Sequence, residues 1–338
     1  MLPKAMSSYV ENIGTQLSCS AVFQETGDYF QNMLLLKNAI HSQAGIGLAA
    51  NTFLFLVCIF TSFLDHRPKP TDLITCHLAL VHMVMLLTMV FLVSPGLFES
   101  QNFWNDFKCR MFFYVNNVMR GLSICTTCLL SMLQAITISP SSSRVAKCKH
   151  KFTSYFTHVF VFLWSLSLSS RSYLIFYIVA SSNMTQTNLL VLSKYCSLSP
   201  MNFIIRYLVF TLTTSSDIFF VGIMLLSSAH MVILLFRHQR RSQHLHSTRL
   251  SPRASPEKRA AQTILLLVGF FVLMYWMHFI ISSFSVLLSA HGPVVQDVQT
   301  LVFNIYASAS PLVLLSSDKR IINTVKNMQQ KLHRFLKT

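Results

Sequence analysis

Charge is scarce in this chain. Only 11% of its 338 residues are Asp, Glu, Lys or Arg, while 52% are hydrophobic. A soluble domain carries about 25% charged residues, so a chain this poor in charge does not cover a soluble surface of its size. Acidic residues number eleven, most of them between apolar runs. A Gly-rich phosphate loop, a His-Glu-x-x-His pair and a paired acidic motif are all missing, so neither enzymatic activity nor a cofactor is expected. The ten-residue alternation of a membrane β-barrel is absent. So is the inverted repeat with broken helices that marks a transporter. After Lys4 the chain reads AMSSYVENIGTQLSCS, with no apolar leader core, and the first apolar segment is expected to target the chain itself.

What is present is a series of seven long apolar segments: about 39–64, 73–97, 107–138, 155–179, 201–236, 260–290 and 294–315. Each is long enough to cross a bilayer as a helix, the one open-ended structure whose backbone groups are all bonded internally. The fold class is an all-α membrane protein with a seven-helix bundle. Residues 1–38 form a short leading segment, 39–315 the bundle and 316–338 a tail. The third segment organises the rest. From Cys109 to Pro140 it runs apolar for about thirty residues, or about 45 Å of helix. The other segments should pack around it.

Loop charge gives the direction. Lys and Arg number two in 65–72, four in 139–151, seven in 237–259 and six in 316–338, nineteen in all. The alternate loops hold five: Lys4, Lys37, Lys108, Arg110 and Lys194. The positive-inside rule then puts the N-terminus outside and the tail in the cytosol. The net charge of +16 is split into short clusters between apolar runs, which excludes nucleic acid as the expected partner and leaves membrane lipids. Asn183-Met184-Thr185 is a glycosylation sequon on the outer side. In the tail, Ile321, Val325, Met328, Leu332 and Phe335 recur at helical spacing with Lys and Arg between them. An amphipathic helix on the inner leaflet is expected there.

Seven segments, a cysteine at the head of segment 3, a second in the loop after segment 4, and a short interfacial helix together resemble a G-protein-coupled receptor. Two strings narrow the resemblance: His77-Leu78-Ala79-Leu80-Val81-His82, and CTTCLLSMLQAITISP from Cys125 to Pro140. These look like vomeronasal type 1 receptors. That resemblance implies a small pheromone or chemosignal as ligand and an inhibitory-type heterotrimeric G protein as partner, at the plasma membrane. A bitter-taste-type receptor is the nearest alternative, and a small seven-helix transporter the alternative of another class. The chain departs from the wider rhodopsin-like pattern. Leu133-Gln134-Ala135 stands for acidic-Arg-aromatic, His82 for the sodium-site aspartate, and Trp276-Met277-His278 for Trp-x-Pro. Ser310-Pro311 stands for Asn-Pro, whereas Asn51 and Pro311 fit the pattern.

The resemblance also pairs Cys109 with Cys196, both on the oxidising side, and leaves Cys19 without a partner. Cys125-x-x-Cys128 spells a redox or zinc pattern, yet inside an apolar helix it reads as packing, and no metal is expected. Arg120 and Asp217 fall inside apolar spans, where a charge costs roughly 2.5 kcal/mol or more and must face the bundle. Either they pair, or Arg120 meets an anionic group of the ligand. Arg171 and Arg206, nearer the ends of their spans, are expected to snorkel to headgroups. On segment 3 the inward stripe is Tyr114, Asn117, Arg120 (or Gly121) and Ile124. Phe210, Thr214, Asp217, Trp276, Phe279, Phe303 and Tyr306 complete the expected ligand wall, suited to a small apolar molecule with a few polar handles. His82 reads as a hydrogen-bonded core histidine against a proton or metal site. Leu133, Gln134, Arg240, Arg241 and Lys258 are expected to face the G protein, with topogenic charge as the other reading of the basic loop.

Overall fold

The computed structural model describes residues 31, 33–61, 70–93, 106–139, 144–180, 190–191, 196–199, 202–245, 256–287 and 293–317. The helices are α1 (Met33–Thr61), α2 (Pro70–Val93), α3 (Asp106–Ile138), α4 (Arg144–Ser170) and short α5 (Tyr173–Tyr177). Three short strands follow: β1 (Ile178–Ala180), β2 (Leu190–Val191) and β3 (Cys196–Leu198). Then come α6 (Phe203–Leu245), α7 (Pro256–Leu287) and α8 (Pro293–Ser317). Seven of the helices are long and apolar enough to cross a membrane. The chain is a multi-pass membrane protein.

Several bounds differ from the sequence reading. α1 begins at Met33 inside the expected leading segment. α4 begins at Arg144, and α6 runs on to Leu245 with α7 resuming at Pro256. Arg240 and Lys258 therefore sit on helices that extend past the apolar spans. Apolar composition marks where a helix meets hydrocarbon, while helical hydrogen bonding continues into water. The stretch after α4 is not plain loop either. β3 pairs antiparallel with β1 and with β2, making the order β1-β3-β2. Asn183, Cys19 and the expected tail helix lie outside the described residues.

α3 is the centre of the bundle, as its length and composition predict. Every residue from Gly121 to Ser131 is buried, so the helix is covered on all sides there. It packs on α2, α4, α6 and α7, and its upper end on β1. α6, in contrast, leaves Tyr207, Leu212, Phe219 and Leu226 exposed, a face fit for lipid. Small residues set the closest approach. A Cβ on Gly47 of α1 would come within 2.6 Å of Ser308 Oγ on α8 and 2.7 Å of Leu86 on α2. The Ser308 Cα is only 3.0 Å from that position, so a side chain at Gly47 would push α1 and α8 apart.

Pro311 lies inside α8 and has no N–H to give the carbonyl of Ala307, four residues back. Asn51 of α1 supplies the missing donor: its Nδ2 reaches the Ala307 carbonyl at 2.9 Å and the Gly47 carbonyl at 2.8 Å. One buried side chain thus repairs the break and ties α1 to α8. At one end of the bundle Cys109 and Cys196 form a disulfide, with Cα atoms 5.8 Å apart, that fastens β3 to the start of α3. Arg110 Nε donates to the Ile178 carbonyl at 2.8 Å and holds β1 to the same helix.

Candidate ligand-binding site

Below the disulfide, the four α3 residues expected to face the ligand have different surroundings. Tyr114 donates its hydroxyl to the Leu168 carbonyl of α4 at 3.1 Å. Asn117 Nδ2 bonds back to the Phe113 carbonyl at 2.9 Å. Ile124 is fully buried. Arg120 lies between them, and its guanidinium carbon stands 3.7 Å from the centre of the Phe303 ring of α8.

The expected Arg120–Asp217 pair is not formed. Asp217 of α6 takes its bond from Arg171, Nη2 to Oδ1 at 2.9 Å. Arg171 is not at the headgroups either. It is 6% exposed, and its Nη1 donates to the Asn117 carbonyl at 3.3 Å. The cause is local. α4 ends at Ser170, and Arg171 stands in the turn before α5. Arg171 lies against Gly121 of α3: a Cβ there would make ordinary contact, 3.4 Å from Arg171 Nη2 and from Ser167 Oγ. Sequence spacing sees how far a residue lies from the end of its span, but not that the helix ends with the side chain turned inward.

Arg120 is left over. Among the described residues it makes no hydrogen bond and no ion pair, and its Nε is buried without an acceptor. His278 of α7 stands edge-on to the same Phe303 ring at 5.3 Å, and its Nδ1 is also buried without a partner. Trp276 and Phe279 are not on this wall. They are 56% and 44% exposed on the outer face of α7 and pack on each other. The buried stripe Ile264, Leu267/Val268 and Phe271 continues instead through Tyr275 to His278. Extending that spacing from Phe271 was the signal available in the sequence. Thr214 is half-buried on α6. The side chains of Phe210, Arg206, Arg241 and Lys258 lie outside the described residues.

Deeper in the bundle, Met85, Ser123, Phe271, Met274, Tyr275, Phe303 and Tyr306 enclose a cavity of about 10 Å³. Its floor is a polar network. His82 of α2 is 1% exposed and engages both ring nitrogens: Nε2 with Ser123 Oγ of α3 at 2.8 Å, Nδ1 with Ser310 Oγ of α8 at 3.0 Å. One turn along both helices, Thr127 Oγ1 meets Tyr306 OH at 2.9 Å. The His82 ring stands edge-on to Tyr306 at 5.4 Å. His82 is thus a hydrogen-bonded core histidine. A second histidine, His77, accepts at Nε2 from Trp164 Nε1 at 3.1 Å. Its Nδ1 therefore carries the proton toward Thr126 Oγ1, 3.2 Å away, and the ring joins α2, α3 and α4. Cys125 and Cys128 are buried free thiols, and no group of three metal-ligating side chains occurs among the described residues.

At the opposite end, Leu133 is buried, Gln134 half-buried and Arg240 exposed. Ser131 Oγ meets Ser227 Oγ of α6 at 2.6 Å, about two turns from that end of α3.

The comparisons with known proteins agree with this architecture. Residues 34–327 match the model of the vomeronasal organ pheromone receptor family. Vomeronasal type-1 receptor 90 of Rattus norvegicus is 44% identical over 293 residues, covering 86% of this chain and 94% of that protein. Vomeronasal type-1 receptor 45 of Mus musculus is 39% identical over 291 residues, covering 86% and 91%. Among solved structures, squid rhodopsin superposes with a TM-score of 0.66 at 14% identity, over 89% of this chain and 86% of that one, which shows the fold. A bitter-taste-type receptor and a transporter are not favoured by these matches, and an enzyme is not among them. The chain belongs to the vomeronasal organ pheromone receptor family and is a seven-helix receptor of the G-protein-coupled type.

Proposed function

We propose that this receptor works at the plasma membrane, with the disulfide end outside and the tail in the cytosol. It binds a small chemosignal between α3, α6, α7 and α8 and signals through an inhibitory-type G protein. The loop charges support this direction, since nineteen Lys and Arg fall in 65–72, 139–151, 237–259 and 316–338 and five in the alternate segments, which hold Cys109 and Cys196. Leu133, Gln134, Arg240, Arg241 and Lys258 then lie on the cytosolic side toward the G protein, the basic residues near anionic lipid. Asn183 lies on the outer side, open to glycosylation.

One observation carries the ligand reading. Asp217 is committed to Arg171, and among the described residues Arg120 has no carboxylate partner of its own. Arg120 has a buried donor without an acceptor and stands over the Phe303 ring face. An anionic group on the ligand supplies the missing partner, and Phe303 and Ile124 supply apolar surface beside it. Binding then favours the signalling state by differential affinity.

The test is a cell assay of G-protein activation with pairs of small amphiphiles, each pair differing only in an acidic group. The acidic members activate the wild type, and Arg120→Gln at normal surface level loses that response. Equal potency of the uncharged twins, or retained potency in Arg120→Gln, would falsify the anionic-ligand reading. A set of chimaeric Gα subunits identifies the inhibitory class, and coupling through another class alone rejects it.

A further inference from the structure

Two walls of the cavity differ from the rest. At about 10 Å³ the space is the size of a single water and admits no carbon chain as it stands. Its aromatic walls are held. Phe271 stands edge-on to Tyr306 at 4.7 Å and stacks on Tyr275 at 6.2 Å, and Tyr306 OH meets Thr127 Oγ1. Phe303 has Arg120 over its face and His278 edge-on. Ser123 Oγ is engaged with His82. That leaves Met85 of α2 and Met274 of α7. A methionine is unbranched, with three rotatable bonds, and adapts to space where a ring or a branched side chain does not. The two methionines are not alike. Met274 is half-buried and so is not enclosed on every side. Met85 is 1% exposed, and its carbonyl accepts from Asn116 Nδ2 of α3 at 3.1 Å, which pins that turn of α2.

We propose that Met274 and Met85 set the length of apolar chain this receptor accepts. Met274 is the wall that moves aside, and Met85 is the wall that ends the channel. The inference rests on the ligand reading above, which puts an anionic group at Arg120 beside Phe303. Phe303 also lines the cavity, and Ser123, another wall, stands one turn beyond Arg120 on α3, away from Cys109. A chain that leaves the anionic group and runs away from the disulfide meets this cavity next. It enters by displacing Met274, since the rings would have to give up their mutual contacts. Each methylene that enters exchanges water for an apolar wall and adds affinity. The first that reaches Met85 finds no space, and overfilling a packed core is unfavourable. The ligand class that fits is an amphiphilic acid with a slim, unbranched end of limited length.

The test is melting of the purified full chain with unbranched saturated carboxylic acids of increasing length and with the matching alcohols, all below their micelle-forming concentrations. Stabilisation by a bound molecule reports its apparent affinity. In the wild type, affinity for the acids rises about fourfold per methylene up to a limiting length and then falls. Met85→Ala removes Cγ, Sδ and Cε and moves that limit out by about three methylenes. The milder Met85→Val moves it the same way by less, and it serves where the alanine variant does not fold. Met274→Ile keeps the volume but is stiff at χ1, and it pulls the limit in. Met277→Ala, on the exposed face of α7, leaves the limit where it was. Partition of the acids into detergent is common to every variant and cancels. The absence of a limit in the wild type overturns the proposal. So does a limit that neither Met85 variant moves, or one that Met277→Ala moves as far. Failure of the ligand reading looks different: the alcohols match the acids and Arg120→Gln changes nothing, while the limit still follows Met85. Binding of neither series overturns both.

Discussion

Two polar layers cross this bundle, and they are finished to different degrees. In the layer around His82, both ring nitrogens, both serines, Thr127 and Tyr306 have partners within 3.0 Å. In the layer nearer the disulfide, Asp217 pairs with Arg171 and not with Arg120, and Arg120 Nε, Arg171 Nε and His278 Nδ1 are buried without partners among the described residues. Both layers sit in a protein surrounded by lipid, where an unsatisfied polar group is costly. A satisfied layer holds helices together. The disulfide-side layer is itself divided: Arg171 and Asp217 satisfy one another, and Arg120 Nε is left without an acceptor, which is why Arg120 is the residue we propose for the ligand.

The largest effect should come from splitting that ion pair. Asp217→Ala leaves Arg171 charged and unpaired in the bundle, a loss of about 3–5 kcal/mol by analogy with broken buried pairs. Thermal melting of the purified receptor and surface labelling both report it. Removing both partners, as Arg171→Met with Asp217→Leu, should recover most of the loss. If Asp217→Ala melts like the wild type, the pair is not structural and the division above is wrong.

A smaller loss is expected where α1 meets α8. Asn51→Leu strips the Ala307 carbonyl of the donor that stands in for Pro311. An orphaned buried carbonyl costs about 1–3 kcal/mol. Melting measures it, and Asn51→Leu combined with Pro311→Ala should lose less than Asn51→Leu alone, since the backbone donor is restored.

How much of this was legible in the sequence follows from what periodicity can carry. Seven spans and the central α3 were readable because hydrophobicity and 3.6-residue spacing encode them directly. The partner of Asp217 was not. Choosing between Arg120 and Arg171 needs the turn at the end of α4, and no periodicity reports where a helix stops inside an apolar run. Trp276 and Phe279 were placed on the wrong face because aromatic character stood in for phase. The buried line through Phe271, counted forward by three and four, reaches Tyr275 and His278. The His82 bridge to Ser310 joins residues far apart in the chain, and neither serine nor histidine signals such a partner by itself.

Arg120→Gln sharpens the comparison from the other side. Arg120 makes no ion pair, so its removal forfeits chiefly the contact with Phe303, worth about 1 kcal/mol, and relieves an unpaired buried charge. Melting should move little in either direction, while potency for an acidic agonist falls about tenfold or more. A large loss of stability without loss of potency would place Arg120 with Arg171 among the structural residues.

The smallest effect is expected two positions from His278. Trp276 is large and aromatic, the kind of residue whose truncation is costly in a core, yet more than half of its surface is exposed on the lipid-side face of α7. Trp276→Ala removes mainly the contact with Phe279, and stability should stay within about 0.5 kcal/mol of the wild type. Potency should not change. His278→Phe keeps ring volume against Phe303 but deletes the unpartnered nitrogen, so melting holds while potency for an acidic agonist falls. Measuring both variants on one agonist separates the two faces of α7. A potency loss at Trp276 with none at His278 would mean that α7 presents its other face to the ligand, and that the unsatisfied nitrogen of His278 is not part of the binding layer.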